Sequence, residues 1–303
     1  MIQFPSENWK DYRLLDCGDA EKLEQFGPYV LRRPEPKAIW PKALGEAKWE
    51  KLTTVSFTPG AGFGKAGKED VGTWLRKGRM EDQWWIQSPD GRFDLRLGLT
   101  AFKHVGVFPE QAPNWDFIRG EVERLKAAQP AGARPRVLNL FAYTGGASLA
   151  ARVAGAEVTH LDSVRQVVNW AHANAERRNL VDGVHWVVED ALKFARREER
   201  RGNRYSGIIL DPPAYGHGPD GERWKLDDCL FEMMKCVDSI LEKKNSFLVL
   251  NLYSNGFTPS LGETVVREAL SLKSALRIES GELSLRDSSG RVLPLSTVVR
   301  VSR

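Results

Sequence analysis

Asp211, Pro212, Pro213 and Tyr215, in the stretch GIILDPPAYGHG, combine side chains and spacing suited to chemistry on a planar substrate. The Asp211 carboxylate and the Pro212 carbonyl can accept hydrogen bonds from an amino group or orient a base. Each proline lacks an N–H and holds φ at about −65°, and Pro213 biases Pro212 toward extended ψ. The acceptors therefore have little freedom left to lose on meeting a ligand. Tyr215 can stack on a planar ring, a contact worth about 1–3 kcal/mol for a nucleobase. An isolated Asp-Pro-Pro reads as a plain turn; here it closes an apolar strand, and three further strand ends carry matching residues.

The first of these reads NLFAYTGGAS, covering Phe141, Ala142, Tyr143, Thr144, Gly145 and Gly146. The two glycines let backbone approach a ligand, and the following helix offers unpaired N–H groups. The second, AEVTHLD, ends on Asp162, seventeen residues beyond Gly145, where a carboxylate can accept both hydroxyls of a ribose. The third, VHWVVED, ends on Glu189 and Asp190, placed for an adenine amino group; the alternative is a helix cap before Ala191. A nicotinamide dinucleotide could use the same acids, but GxGxxG is missing and with it the best-documented pyrophosphate site. A ribose and an adenine without a diphosphate point to S-adenosylmethionine.

These residues require elements to hold them at one edge. From NWDFIRGEVERLKAAQ onward the chain alternates helix and strand, with Phe117, Val122, Leu125 and Lys126 at helical spacing. RVLNLFA, AEVTHLD, VHWVVED, YSGIILD and SFLVLNLY read as strands separated by helices, so the sheet is predicted to be parallel and doubly wound. Ser163 is predicted to cap the helix SVRQVVNWAHANAERRNL. The ending RIESGELSLRDSSGRVLPLSTVVRVS predicts an antiparallel hairpin about Ser288-Ser289-Gly290. Residues before about 115 are rich in Trp, Gly and Pro, with turn signals such as Pro89-Asp90-Gly91, and predict a small β-rich domain. The expected domains are therefore 1–115 and 116–303. Trp9, Trp40, Trp49, Trp74, Trp84, Trp85 and Trp115 read first as packing residues, and base stacking is the alternative.

With 303 residues, 42% hydrophobic and 28% charged, the chain has the composition of a globular protein of one large or two ordinary domains. It holds no apolar run of about 18 residues. The start shows neither a secretory nor a transit pattern, so a cytoplasmic location is expected. Cys17, Cys229 and Cys236 form no CxxC pair, which predicts reduced thiols, no disulfide framework and no metal site. A net charge of +4 is compatible with an acidic partner such as nucleic acid without requiring one.

LNLFAYTGGAS, HLDSV, NWAHANAERRNL, VVEDALKFARREERRGNRYSGIILDPPAYG and FLVLNLYS, from about Asn139 to Ser254, resemble class I S-adenosylmethionine-dependent methyltransferases, in particular the bacterial large-subunit ribosomal RNA methyltransferase group. The resemblance implies a Rossmann-like catalytic domain, with a mostly parallel seven-stranded sheet and an antiparallel C-terminal hairpin, preceded by an accessory domain. It implies S-adenosylmethionine as cofactor and RNA, ribosomal RNA first, as substrate. Phe141 to Gly146 would line methionine and ribose, Asp162 and Ser163 the ribose, Asp190 and Ala191 the adenine, and Asp211 to Tyr215 the methyl acceptor. FKHVGVFPEQAPNW resembles a segment that folds over the methionine part, with Phe108 and Gln111 as contacts.

One departure bears on chemistry. Members that methylate carbon 5 of cytosine need a thiolate to attack the ring. Their cysteine follows the fifth strand, where this chain has Tyr253. An exocyclic nitrogen needs no such nucleophile and is the expected target. In the nitrogen enzymes an aromatic more often follows the second proline directly, and here Ala214 stands there, which leaves the target atom open. GHGPDGERWKLDD reads as a glycine-rich loop that can close over a base, with Trp224 as stacking ring and His217, Arg223 and Lys225 as polar contacts, a solvated loop being the alternative for the charged residues. The basic helix KFARREERRGNR is either a phosphate-binding surface or a solvated one. A methyltransferase for small molecules or proteins, and a non-catalytic RNA binder, are the rival readings.

Overall fold

The structure, a computed structural model, describes residues 1–62, 71–130, 132–253, 256–271 and 277–303. The chain forms two compact units. One comprises Phe4–Ala112 with Ser284–Leu295; the other comprises Met1–Gln3, Pro113–Leu283 and Ser296–Arg303. Relative to a single division at 115/116, Met1–Gln3 and residues 113–115 fall in the second unit and Ser284–Leu295 in the first. Among the described residues no helix is long and apolar enough to cross a membrane.

Strand β1 (Ile2–Gln3) belongs to the second unit. The β-rich unit holds β2 (Tyr12–Gly18), β3 (Glu21–Phe26), β4 (Tyr29–Pro34), helix α1 (Glu46–Leu52), β5 (Val55–Pro59) and β6 (Gly72–Arg76), and then β7 (Gln83–Gln87) and β8 (Asp94–Gly98). Strands β2 to β6 form one sheet in sequence order, and β7 and β8 form a separate hairpin. The predicted Pro89-Asp90-Gly91 turn joins that hairpin, with Gly91 at φ +69° and its N–H bonded to Ser88 O. The indoles here are packing residues. Trp9, Trp49 and Trp84 are buried, and the N–H groups of Trp9, Trp40, Trp49, Trp74 and Trp84 each donate to a carbonyl or carboxylate within the unit. The fully buried Asp16 explains why residues 284–295 belong to this unit. Its carboxylate accepts from Trp49 Nε1 at 2.7 Å and Leu44 N at 2.8 Å, and it is ion-paired with Arg291, whose other partner is Asp287.

The second unit is the expected α/β fold. After α2 (Ala112–Ala127) come β9 (Arg136–Leu140), α3 (Gly146–Val153), β10 (Glu157–Asp162), α4 (Arg165–Glu176), β11 (Val184–Val188), α5 (Ala191–Arg201) and β12 (Gly207–Leu210). A short hairpin, β13 (Tyr215–His217) and β14 (Arg223–Lys225), precedes α6 (Leu226–Ile240), β15 (Phe247–Leu252), α7 (Pro259–Ala269), β16 (Arg277–Arg286) and β17 (Val292–Ser302). The sheet runs β1-β16-β17-β15-β12-β9-β10-β11. Seven strands are those expected, and β1 adds an eighth at the edge, parallel to β16. The pairs from β15 through β12, β9 and β10 to β11 are parallel, and β17 lies antiparallel to β15. Burial on both faces accounts for the apolar runs of β12 and of β15, the latter interrupted by Asn251.

In α2 the core stripe is Ile118, Val122 and Leu125, while Lys126 is exposed. The residue before α4 is Val164, which makes no side-chain cap, so Ser163 is not the predicted cap. The Asp162 carboxylate accepts the Val164 N–H at 3.0 Å instead.

Candidate functional site at the switch of the sheet

Strand order reverses between β9 and β12: β10 and β11 lie to one side, β15 and β17 to the other. At such a point the loops leaving adjacent strands diverge and open a crevice at their carboxyl ends. The two loops here are Phe141–Gly145 and Asp211–Ala214.

The first loop has left-handed backbone at Phe141 (φ +58°), Tyr143 (φ +50°) and Gly145 (φ +91°). For the two non-glycine residues this costs about 1–3 kcal/mol each, so the surroundings must hold the turn. Ala142 N donates to Leu161 O at 3.0 Å, Tyr143 N to Asp162 Oδ2 at 3.0 Å, and the buried Asn174 donates through Nδ2 to Thr144 O at 2.8 Å. A Cβ on Gly146 would lie 2.8 Å from the Trp115 ring, so only glycine permits this approach. Beneath the loop Asn139 Nδ2 donates to Ser148 Oγ, which bonds His160 Nδ1, both at 2.9 Å. Burial pushes the His160 imidazole down to about 3, so it is neutral throughout the physiological range.

Asp162 thus ties the first loop to the start of α4. Removal from water pushes its carboxyl above the ordinary value, and the N–H groups of Val164, Tyr143 and Ser163 pull the other way. Asp190 is buried and does cap α5, accepting from Lys193 N at 2.8 Å. Glu189 accepts from Arg197 at 2.6 Å.

The second loop continues into the β13–β14 hairpin, so the stretch expected as a glycine-rich loop contains two short paired strands. Trp224 is not an exposed stacking ring: it is 4% exposed, its Nε1 donates to Pro213 O at 2.7 Å, and its ring lies 4.8 Å from that of Phe141. The aromatic presented to solvent is Tyr215, 54% exposed. Lys193 Nζ reaches both Asp220 and Glu222 at 3.0 Å and holds the hairpin tip to α5. His217 and Arg223 are exposed, and Lys225 pairs with Asp228.

Between these elements lies a cleft lined by Phe141, Leu161, Asp162, Ser163, Glu189, Asp190, Ala191, Pro213, Gly216, His217 and Trp224. It brings together three carboxylates and aromatic rings without a lysine or arginine. That suits a nucleoside with a cationic substituent and disfavours a diphosphate. Ala142, Tyr143, Thr144, Gly145 and Gly146 form the turn beside the cleft rather than its walls. Phe108 precedes, and Gln111 ends, a 3₁₀ turn (Pro109–Gln111) in the β-rich unit.

Asn251, within the apolar run of β15, escapes a sequence reading yet donates through Nδ2 to Asp211 Oδ1 at 2.9 Å. Tyr253, half-buried, follows the same strand. The thiols lie elsewhere: Cys17 is in the β-rich unit, and Cys229 and Cys236 are on α6. Burial pushes Cys17 up to about 12 and Cys236 up to about 11, so neither is a ready thiolate. On the basic helix Arg196, Arg197 and Arg201 are each paired with a carboxylate, Glu232, Glu189 and Glu198 respectively, which favours the solvated reading of that surface.

The profile of the S-adenosylmethionine-dependent methyltransferase family matches residues 68–284. Ribosomal RNA large subunit methyltransferase K/L from Pseudomonas aeruginosa is 26% identical over 220 residues, 68% of this chain and 28% of that protein. The protein of the same name from Pseudoalteromonas atlantica is 30% identical over 225 residues, 70% of this chain and 30% of that one. The match therefore spans less than a third of either relative. The crystal structure of a SAM-dependent methyltransferase from Agrobacterium tumefaciens is 36% identical, with a TM-score of 0.88 over 100% of this chain and 93% of that chain. Fold, cleft chemistry and kinship converge: this chain belongs to the S-adenosylmethionine-dependent methyltransferase family and is an enzyme with that cofactor.

Proposed function

We propose that the enzyme methylates a base of RNA, ribosomal RNA first, at an exocyclic amino nitrogen. The two relatives named above are ribosomal RNA methyltransferases by name, which supports RNA as the acceptor class. The observation that carries the nitrogen reading is the Asp211-Pro212-Pro213 turn at the switch of the sheet, its carboxylate held by Asn251, with Tyr253 rather than a cysteine after β15.

In this reading the ribose hydroxyls meet Asp162 and Ser163, and the adenine lies against Asp190 and Ala191. The methionine part follows the Phe141–Gly146 turn. When bound, the cofactor supplies a methyl group made electrophilic by the attached sulfonium. Asp211 and the Pro212 carbonyl accept the acceptor's N–H groups and aim the nitrogen lone pair along the methyl–sulfur axis. Transfer of the methyl group from sulfur to nitrogen would leave a proton to be lost from that nitrogen, and Asp211 or water would accept it. Positioning accounts for most of the rate in such a displacement. Tyr215 stacks on the base.

The test is transfer of tritiated methyl from S-adenosylmethionine to RNA from cells lacking the enzyme, with Asp211→Ala alongside and the labelled nucleoside identified. Label in one N-methylated nucleoside, lost in the variant, is expected. A 5-methylpyrimidine product would refute the nitrogen reading. No label with cofactor binding intact would refute RNA as substrate.

A further inference from the structure

Asp211 and Asn251 stand immediately beyond the registered pair Leu210 and Leu250 of the parallel strands β12 and β15. Asn251 is 1% exposed, on a strand every residue of which is buried. Its Nδ2 lies 2.9 Å from Asp211 Oδ1, and its Oδ1 accepts from the Ser296 hydroxyl at 3.0 Å. Ser296 is itself buried on β17. A polar side chain in such a strand is costly unless its atoms are bonded, and an aliphatic residue would satisfy the packing alone.

An ionised carboxylate only accepts, so the amide must turn its NH₂ toward Asp211 and its oxygen toward Ser296, which then must donate. The direction of the chain is fixed as hydroxyl to amide to carboxylate. We propose that Asn251, braced by Ser296, is a positioning residue for methyl transfer: it fixes one oxygen of Asp211 and so sets the direction in which the carboxylate meets the acceptor's amino group. This rests on the reading above that Asp211 faces the acceptor.

A double-mutant cycle in the full chain tests it, using Asn251→Ala, Asp211→Ala and the pair, with transfer to the same RNA as readout. Asn251→Ala is expected to lower kcat about 10- to 100-fold, the scale of a small misplacement at the reacting centre. Calorimetric cofactor affinity and KM for RNA should be unchanged. In the Asp211→Ala background the second substitution should add nothing. Asn251→Asp, equal in shape but presenting an acceptor to an acceptor, should be at least as slow as Asn251→Ala. Full activity in Asp211→Ala would overturn the role of Asp211 and this inference with it. A slow Asp211→Ala enzyme combined with a harmless, or fully additive, Asn251→Ala would overturn the positioning role alone. If the RNA accepts no methyl group from the wild type, the ¹⁵N-labelled side-chain amide of Asn251 decides. Its resonances should move and exchange faster in Asp211→Ala, and unchanged signals would overturn the proposal.

Discussion

Trp224 converts a short hairpin into a wall of the cleft proposed for the cofactor, and its removal should open that wall without unfolding the enzyme. The strands β13 and β14 are three residues each, and a two-stranded hairpin is marginal alone. The Lys193 ion pairs at its tip are exposed and screened, which leaves the buried indole as the main attachment. A tryptophan buries about 150–250 Å², which at about 25 cal/mol per Å² amounts to about 4–6 kcal/mol; aromatic-to-alanine substitutions in cores lose about 3–5 kcal/mol. Such a loss exceeds what three-residue strands can supply, so Trp224→Ala should release residues 215–225 locally. Amide hydrogen exchange reads this directly. The N–H groups of Gly218 and Leu226, bonded to Glu222 O and Ala214 O, should lose protection while β9, β10 and β12 keep theirs. Cofactor Kd should rise at least about tenfold, or about 1.4 kcal/mol, because Gly216, His217 and Trp224 line the cleft. Trp224→Phe keeps most of the ring and loses one hydrogen bond to Pro213 O, a loss of about 0.5–1.5 kcal/mol. Retained protection at Gly218 and Leu226 in Trp224→Ala, or collapse of the whole sheet, would refute the argument.

His160 yields a pH prediction with a definite sign. Its ordinary value is 6.5 and burial lowers it to about 3, so the unfolded chain binds the proton more tightly and stability falls as pH drops from 6.5 toward 3. Between pH 7 and pH 5 this group should remove about 2 kcal/mol, and urea unfolding of wild type and His160→Gln at both pH values should differ by that amount; parallel losses in the two would contradict it. Gly146→Ala drives a methyl into the Trp115 ring and should destabilise by about 1–3 kcal/mol, with partial restoration when Trp115→Phe is added; strict additivity of the two in thermal melts would count against the contact. Asp162→Asn replaces one acceptor oxygen by an NH₂ beside the N–H groups of Tyr143 and Val164, so the first loop should loosen and calorimetric cofactor affinity should fall at least about tenfold. Unchanged affinity would argue against Asp162 as the ribose contact.

The sequence by itself determined the α/β alternation and the residues that end its strands. Apolar runs over Gly207–Leu210 and Phe247–Leu250, separated by helical periodicity, are local signals, and Asp162 ends its strand while Asp190 and Asp211 follow theirs at positions any reading of the chain can count. The Gly145-Gly146 turn is local in the same sense. What only the tertiary structure decided depends on contacts distant along the chain. Trp224 looked like a free stacking ring because its burial comes from Phe141 and Pro213, one of them 83 residues away. Ser163 looked like a cap because composition cannot reveal that the neighbouring Asp162 reaches the same backbone first. Asn251 was hidden inside an apolar strand, since its purpose appears only when parallel pairing sets it beside Asp211 and antiparallel pairing brings Ser296 up behind it. Residues 284–295 join the β-rich unit through Asp16 and Arg291, 275 positions apart. Periodicity reports which face of an element is buried, whereas the partner that buries it is a property of the folded chain.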